Sequence, residues 1–101
     1  MSEQQIQSKI LKYLEDESIY AVKVMTANRA GTPDILACVR GTFVGIEVKS
    51  PAGKTSKLQD YALANIRKSG GEAWIVRSVE DVADLLSHFP NINHNEAWRG
   101  I

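Results

Sequence analysis

Apolar residues near the N-terminus recur at helical spacing. Four of them stand at positions i, i+4, i+7 and i+8: Ile6, Ile10, Tyr13 and Leu14. The preceding Ser2-Glu3-Gln4-Gln5 has the spacing of a capping box, so we predict a first helix over residues 3–16. Glu3 stands three and seven residues before the first two apolar positions. This spacing puts it on the inward face of the helix.

Alternating apolar and β-branched residues predict four strands after this helix. The first covers residues 19–26, where Val22 and Val24 alternate with other residues. A hairpin within residues 32–49 supplies the second and third strands, with a two-residue turn at Arg40-Gly41. A short strand around Trp74 spans residues 72–77.

Two further helices separate and follow these last strands. Ser56 and Gln59 form a second capping-box pattern, and the helix that they start runs to about Ser69, before Gly70-Gly71. A third helix starts at Ser78, and we expect Pro90 to end it. A right-handed crossover through residues 42–77 makes the last strand parallel to the third. The order αβββαβα predicts an α/β domain with a mixed central sheet flanked by helices.

The hairpin turn fixes which residues face each other. Paired residues have numbers that sum to 81, so Asp34 opposes Glu47, and Lys49 points to the same face as Glu47. One hairpin face is entirely apolar: Ile35, Ala37, Val39, Val44, Ile46 and Val48. The other face carries Asp34, Glu47 and Lys49 at one end, and its remaining residues are apolar or small: Leu36, Cys38, Phe43 and Gly45. We therefore expect both faces of the hairpin to be covered by other parts of the protein.

Two opposed carboxylates require a cation or a shared proton. Hard oxygen ligands suit Mg²⁺ or Mn²⁺, and a metal bound there activates water and orients a phosphodiester. Lys49 stands beside the acids, and Arg29, Lys54 and Lys57 rim them. The alternative is a structural ion pair in which Lys49 neutralises an acid without any chemistry, although such pairs return little stability.

The length and the charge distribution of the chain limit the kinds of molecule that we expect it to bind. The 101 residues make one domain of zero net charge, yet residues 23–68 carry eight basic and three acidic side chains. This asymmetry suits one face for a polyanion, while overall neutrality argues against strong non-specific nucleic-acid binding. A Gly-rich phosphate loop is missing, so we expect no nucleotide cofactor.

Single residues add a few expectations. Cys38 is the only cysteine, and we expect it to be buried in a protein of a reducing compartment. His88 and His94 lack useful ligand spacing, so we predict no metal role for them.

Trp74 is predicted in the core and Trp98 in a subunit contact. The chain carries no apolar run or signal peptide typical of membrane insertion, which predicts an intracellular protein without membrane contact.

These residues resemble those of a known family. Pro33-Asp34 and, after twelve intervening residues, Glu47-Val48-Lys49 are similar to the Pro-Asp…(Asp/Glu)-x-Lys signature of nucleases with a restriction-endonuclease-like core. Four segments resemble the virus-type replication–repair nuclease (VRR-NUC) domain in particular: Gly31–Asp34, Ile46–Ser50, Gly53–Gln59 and Gly70–Ser78. The resemblance covers about residues 2–86. We predict a VRR-NUC-like domain over 1–90 and a tail or dimer arm over 91–101.

The resemblance implies roles for individual residues. Asp34 and Glu47 bind Mg²⁺, or Mn²⁺ as a substitute, with the backbone carbonyl of Val48, and Lys49 assists the nucleophile. Glu3 matches an acid that completes the set, and the alternative is a charge that favours the helix dipole.

Gln59 matches a glutamine associated with the site in this family. Its alternative role closes the capping box with Ser56, and the two roles are compatible. We also place Ser56 among the DNA contacts, with Arg29, Lys54 and Lys57.

The expected activity follows from this resemblance. It is an Mg²⁺-dependent, structure-selective endodeoxyribonuclease that cleaves branched double-stranded DNA as a homodimer, similar to Holliday-junction resolvases. It is expected in the cytoplasm of a bacterial or phage-infected cell. One alternative is a non-catalytic junction-binding module on the same fold, and another is an enzyme for a different phosphate substrate.

Overall fold

A computed structural model describes residues 1–89, and its elements follow the predicted order αβββαβα. The three helices are α1 (Glu3–Asp16), α2 (Lys57–Lys68) and α3 (Val79–Leu86). The four strands are β1 (Tyr20–Lys23), β2 (Ile35–Val39), β3 (Thr42–Val48) and β4 (Glu72–Val76). In the described part of the chain, no helix has the length and apolar character needed to cross a membrane.

Both predicted capping boxes form. Ser2 Oγ accepts from the Gln5 backbone, and the Gln5 side chain accepts from the Ser2 N–H at 2.8 Å. Ser56 and Gln59 repeat this arrangement at the start of α2. Each box satisfies two of the N–H groups that a helix start leaves without partners. The beginnings of α1 and α2 are therefore fixed by local sequence.

The four strands form one mixed sheet in the order β1-β2-β3-β4. β2 pairs antiparallel with β1 and with β3, whereas β4 lies parallel to β3, as the crossover through α2 predicts. The predicted hairpin register is confirmed, since Val39 pairs with Thr42 and Ile35 with Ile46. Arg40 and Gly41 take φ angles of 48° and 86°, the positive values of a two-residue turn with type I′ geometry.

The core lies on one face of this sheet. The six apolar hairpin residues pack there with α1 and α3, whose buried contributions include Ile10, Leu14, Val82 and Leu86. Trp74 is also part of this core, as predicted. Arg40 ties the hairpin turn to the end of α3, because its guanidinium donates to the carbonyls of Leu86 and Phe89 at 2.8 and 3.0 Å.

The second face of the sheet corrects one expectation. We predicted that both hairpin faces are covered, but Phe43 is half-exposed and Cys38 is exposed. The predicted burial of Cys38 is therefore wrong. The physical reason is that α2 packs on β3 and β4, toward one side of this face, so the side chains of β1 and β2 there meet solvent.

Smaller differences concern the ends of elements. β1 ends at Lys23 rather than residue 26, and α3 ends at Leu86. His88 is exposed. Pro90, His94, Trp98 and the predicted tail 91–101 lie outside the described residues.

Candidate active site

The hairpin brings the two predicted acids together at one end of the sheet. Asp34 directly precedes β2 and Glu47 lies in β3, and continuing the register by one pair sets them opposite each other. Asp34 Oδ2 accepts from the Val48 backbone N–H at 2.8 Å, and its own carbonyl accepts from the Val24 N–H at 2.8 Å. Asp34 is thus held by the backbones of two neighbouring segments.

Glu47 is an almost completely buried carboxylate, with 1% of its surface exposed. Its Oε2 lies 3.3 Å from Lys49 Nζ and accepts from Gln59 Nε2 at 3.0 Å. Its Oε1 is buried and has no hydrogen-bond partner among residues 1–89. Leaving an oxygen of a buried acid without a partner costs free energy, and such an atom calls for an explanation.

The electrostatics of the pair favour a proton on Glu47. Burial, followed by the nearby negative charge of Asp34, raises the pKa of Glu47 from 4.5 to about 7. The Lys49 ammonium acts in the opposite direction and does not cancel these two effects. At neutral pH the site therefore holds an acid that is close to half-protonated and ready to ionise near a cation.

Lys49 is the second buried charged residue of this cluster, with 8% of its surface exposed. It follows β3, and its backbone N–H donates to the Val76 carbonyl of β4 at 2.9 Å. This bond continues the parallel ladder by one residue beyond Val48. The ammonium is thereby carried on an ordered backbone beside Glu47.

Gln59 makes two side-chain contacts, one at the start of α2 and one with the buried acid. Its Oε1 accepts from the Ser56 N–H at 2.9 Å and closes the capping box, while its Nε2 donates to Glu47. One side chain therefore links the start of α2 to the buried acid. Ser56 serves as the helix N-cap, and nothing in the structure tests its predicted DNA contact.

Glu3 reaches the loop that follows Lys49. Its Oε2 accepts from the Ser50 backbone N–H at 3.2 Å, and it lies close to Gly53, where an added Cβ would come within 3.0 Å of the same oxygen. Within residues 1–89, no three His, Cys, Asp or Glu side chains gather closely enough to hold a metal ion. Glu3 is thus near the site but not in direct contact with Asp34 and Glu47, and its metal role stays a prediction.

Of the predicted DNA contacts, Lys54 and Lys57 are exposed in the loop before α2 and in its first turn. Arg29 is exposed in the loop before β2 and lines a cavity beside α2. These basic residues come from two segments of the chain, the loop before β2 and the start of α2.

Arg77 is a residue that sequence reasoning missed. Its guanidinium donates to the carbonyls of Ser50 and Gly53, at 2.5 and 2.7 Å, and so holds the loop that Glu3 also contacts. The signal available in the sequence was an arginine directly after a buried strand, within a segment of the family resemblance. Five donors in a rigid fork suit this task of binding several carbonyls.

The donor set fits a hard divalent cation. The unpartnered Oε1 of Glu47 and the carboxylate of Asp34 supply oxygens of the kind that Mg²⁺ and Mn²⁺ prefer. A cation beside them would lower the pKa of Glu47, because positive charge favours the ionised acid against the burial and the Asp34 charge that raise it.

This mixed sheet, with Pro-Asp and Glu-x-Lys at its end, places the chain in the class of nuclease domains with a restriction-endonuclease-like core. The chain belongs to the VRR-NUC domain family, whose model matches residues 1–80. Nuclease domains of this kind generally use a divalent metal.

Solved structures agree with this assignment. A VRR_NUC domain, 27% identical, superposes with a TM-score of 0.74 over 87% of this chain and 97% of its own. A VRR_NUC domain protein, 16% identical, has the same fold, with a TM-score of 0.69 over 88% of both chains. A comparison with curated proteins finds no match.

Proposed function

We propose that this protein is an Mg²⁺-dependent, structure-selective endodeoxyribonuclease that cleaves branched double-stranded DNA as a homodimer. The observation that carries the proposal is Glu47, a buried acid with an unpartnered oxygen, beside Asp34 and the Lys49 ammonium. Membership of a nuclease domain family supports DNA as the substrate. A purely structural ion pair explains the Lys49 contact but leaves Glu47 Oε1 without a purpose.

Asp34, Glu47 and the carbonyl of Val48 are the groups that would hold the metal. When bound, the ion supplies positive charge that activates a water molecule and neutralises the departing oxygen. The protein keeps the acids in place through the Val48 N–H on Asp34 and the Gln59 amide on Glu47. We propose that Glu3 contributes from the neighbouring loop, through the contact that it makes with Ser50.

Lys49 is proposed to contact the phosphate or the attacking water. An ammonium 3.3 Å from Glu47 lies within reach of a ligand that shares the same carboxylate. Its positive charge stabilises negative charge on the phosphate oxygens as water adds to phosphorus. The bond from phosphorus to the 3′ oxygen breaks, so the products carry a 5′-phosphate and a 3′-hydroxyl.

Substrate choice is proposed to depend on DNA shape. The proposed contacts to the phosphate backbone are Arg29, Lys54, Lys57 and Ser56, all of them exposed. Contacts to phosphates set position and orientation without reading bases, so branch geometry selects the substrate. Affinity for DNA should accordingly fall as salt rises.

Cleavage of a labelled four-way junction tests this function. Wild-type protein with Mg²⁺ is expected to cut the junction, while Asp34→Ala and wild-type protein in EDTA are expected to leave it intact. Equal cleavage by wild type and Asp34→Ala would show that the assigned site is wrong. Tight junction binding without cleavage in Mg²⁺ or Mn²⁺ would identify a non-catalytic binding module instead.

A further inference from the structure

In the described part of the chain, the second face of the sheet carries an exposed apolar surface beside the candidate active site. We call it the uncovered face and define it by seven residues on β1, β2, β3 and α2: Tyr20, Val22, Leu36, Cys38, Phe43, Leu58 and Tyr61. Tyr20, Cys38 and Phe43 are neighbours across three strands in the sheet register. Phe43, Leu36, Leu58 and Tyr61 line one cavity, so the surface is continuous from β1 to α2.

This surface is concave and almost without charge. The cavity, of about 600 Å³, lies between the loop before β2, the β2–β3 hairpin and α2. Among the described residues that line it, only Arg29 is charged. Nucleic-acid binding surfaces depend on several cations for phosphate contacts, which this face does not offer. Its chemistry fits a protein partner.

The exposed area is large for a chain of this size. Tyr20, Tyr61 and Phe43 are 75%, 67% and 52% exposed. At about 200 Å² for each aromatic side chain, they alone leave roughly 400 Å² open to water. Leu58 and Val22, which are 58% and 40% exposed, bring the exposed apolar area to the upper end of the range for the largest apolar patch on a monomer, about 300–600 Å². This area is also most of the roughly 800 Å² that each partner buries in a standard protein–protein interface.

We propose that the uncovered face is the surface through which two copies of this chain associate. The inference rests on the proposed function, because it supplies the second subunit that coordinated cleavage of a junction requires. Zero net charge means that two copies approach without overall repulsion. An apolar surface that is identical on both partners suits the two-fold interface of a homodimer.

The proposed interface adjoins the acids along three segments of the chain. Glu47 lies on the same face of β3 as Phe43, four residues away. Pro33, which lines the cavity, precedes Asp34, and Leu58 precedes Gln59. A partner bound here sets the separation of the two sites without supplying any group to either. Junction resolution therefore depends on the interface, while cleavage by a single site does not.

Sedimentation equilibrium without DNA tests the interface. Wild type is expected as a dimer of twice 11.2 kDa. Phe43→Glu and Tyr61→Glu each bury a charge between the subunits and should raise the dimer dissociation constant at least about 30-fold, as for an interface hot spot. The matched control is Ser8→Glu, which adds the same charge to an exposed position of α1 and should leave the dimer intact. Circular dichroism checks that each variant is folded.

Cys38 provides a second, independent readout. It is the only cysteine of the chain, and it is exposed within the uncovered face. A thiol reagent should react slowly with the wild-type dimer and fast with Phe43→Glu, in proportion to the monomer present. Equal rates in both proteins overturn the proposal, because the thiol would then lie outside the contact.

Other occupants give different results. A wild-type protein that is monomeric without DNA, or a dimer that persists in both Glu variants, overturns the interface. Dissociation by Trp98→Ala but not by Phe43→Glu assigns the contact to the C-terminal tail and also overturns it. If Cys38 is protected from the thiol reagent only when DNA is added, DNA rather than a second copy covers the uncovered face. That result also overturns the proposed interface.

Activity assays separate this proposal from the proposed nuclease function. Phe43→Glu should still nick or cut a flap substrate with Mg²⁺ while losing paired cuts in a four-way junction. The oligomeric state and Cys38 protection are measured without DNA, so they stand even if wild type cleaves nothing. Conversely, an active wild-type monomer overturns the interface and leaves the active site assignment intact.

Discussion

Replacing Glu47 by glutamine should stabilise the metal-free protein while abolishing cleavage. Burial and the charge of Asp34 raise the pKa of Glu47 from 4.5 to about 7 in the folded state. Each pKa unit corresponds to about 1.4 kcal/mol, so ionised Glu47 lowers the free energy of unfolding by about 3 kcal/mol above pH 7. Glutamine has the same shape and no charge, and Glu47→Gln removes this cost.

The pH dependence gives the sign of the effect. Because the pKa is higher in the folded protein, the folded state binds more protons than the unfolded chain between pH 4.5 and 7. Stability that is present below pH 4.5 is lost as the pH rises through 7. From pH 5 to pH 8, wild type should therefore lose about 2–3 kcal/mol relative to Glu47→Gln. In a domain of this size that difference is about 10 °C or more in Tm.

Urea unfolding in EDTA at several pH values measures this difference. Taking the difference between wild type and Glu47→Gln cancels the pH dependence of groups that do not interact with Glu47. Glu15→Gln is the matched control, since it removes one exposed carboxylate of α1 and should follow wild type at every pH. If Glu47→Gln is less stable than wild type at pH 8, or if the difference in their free energies of unfolding does not change with pH, Lys49 fully offsets the cost of the Glu47 charge. Either result refutes the argument that burial makes ionised Glu47 destabilising.

Three further substitutions test residues that hold the candidate active site in place. Gly31→Ala should lower the free energy of unfolding in urea by about 1–3 kcal/mol, because φ is +78° and the added Cβ would overlap the Leu58 carbonyl oxygen. An unchanged urea midpoint refutes this close approach. Gln59→Ala loses the capping-box bond from the Ser56 N–H and should cost about 0.5–2 kcal/mol, also seen by urea unfolding. Gln5→Ala loses the equivalent bond from the Ser2 N–H without touching Glu47 and should keep activity. Arg77→Met should reduce junction cleavage with the fold retained by circular dichroism, because the Ser50–Gly53 loop loses its guanidinium contacts; full activity would show that this loop does not support the site.

The hairpin illustrates what local sequence determines. A two-residue turn at Arg40-Gly41 leaves one register, and that register alone opposes Asp34 and Glu47. Capping boxes are equally local, so the starts of α1 and α2 followed from four-residue patterns. These features could be predicted because each depends on residues close together in the chain.

The exposure of Cys38 and the role of Arg77 depend on contacts between distant segments. Alternation assigns Cys38 to a face, but only the position of α2 over β3 and β4 decides whether that face is covered. Arg77 binds carbonyls more than twenty residues away in the chain, and carbonyls leave no trace in a pattern of side chains. The unpartnered oxygen of Glu47 likewise arises from the positions of Gln59, Lys49 and Asp34 together.

The position of Glu47 conflicts with the needs of folding alone. An apolar residue of similar size there would avoid both the desolvation of the acid and its repulsion by Asp34. Local violations of this kind are expected where function requires them. The Gln59 amide and the Lys49 ammonium both contact Oε2 and leave Oε1 free, so the fold orients the acid without saturating it. A carboxylate that is fixed on one oxygen and open on the other suits ligand binding, and it is difficult to explain as a stabilising ion pair.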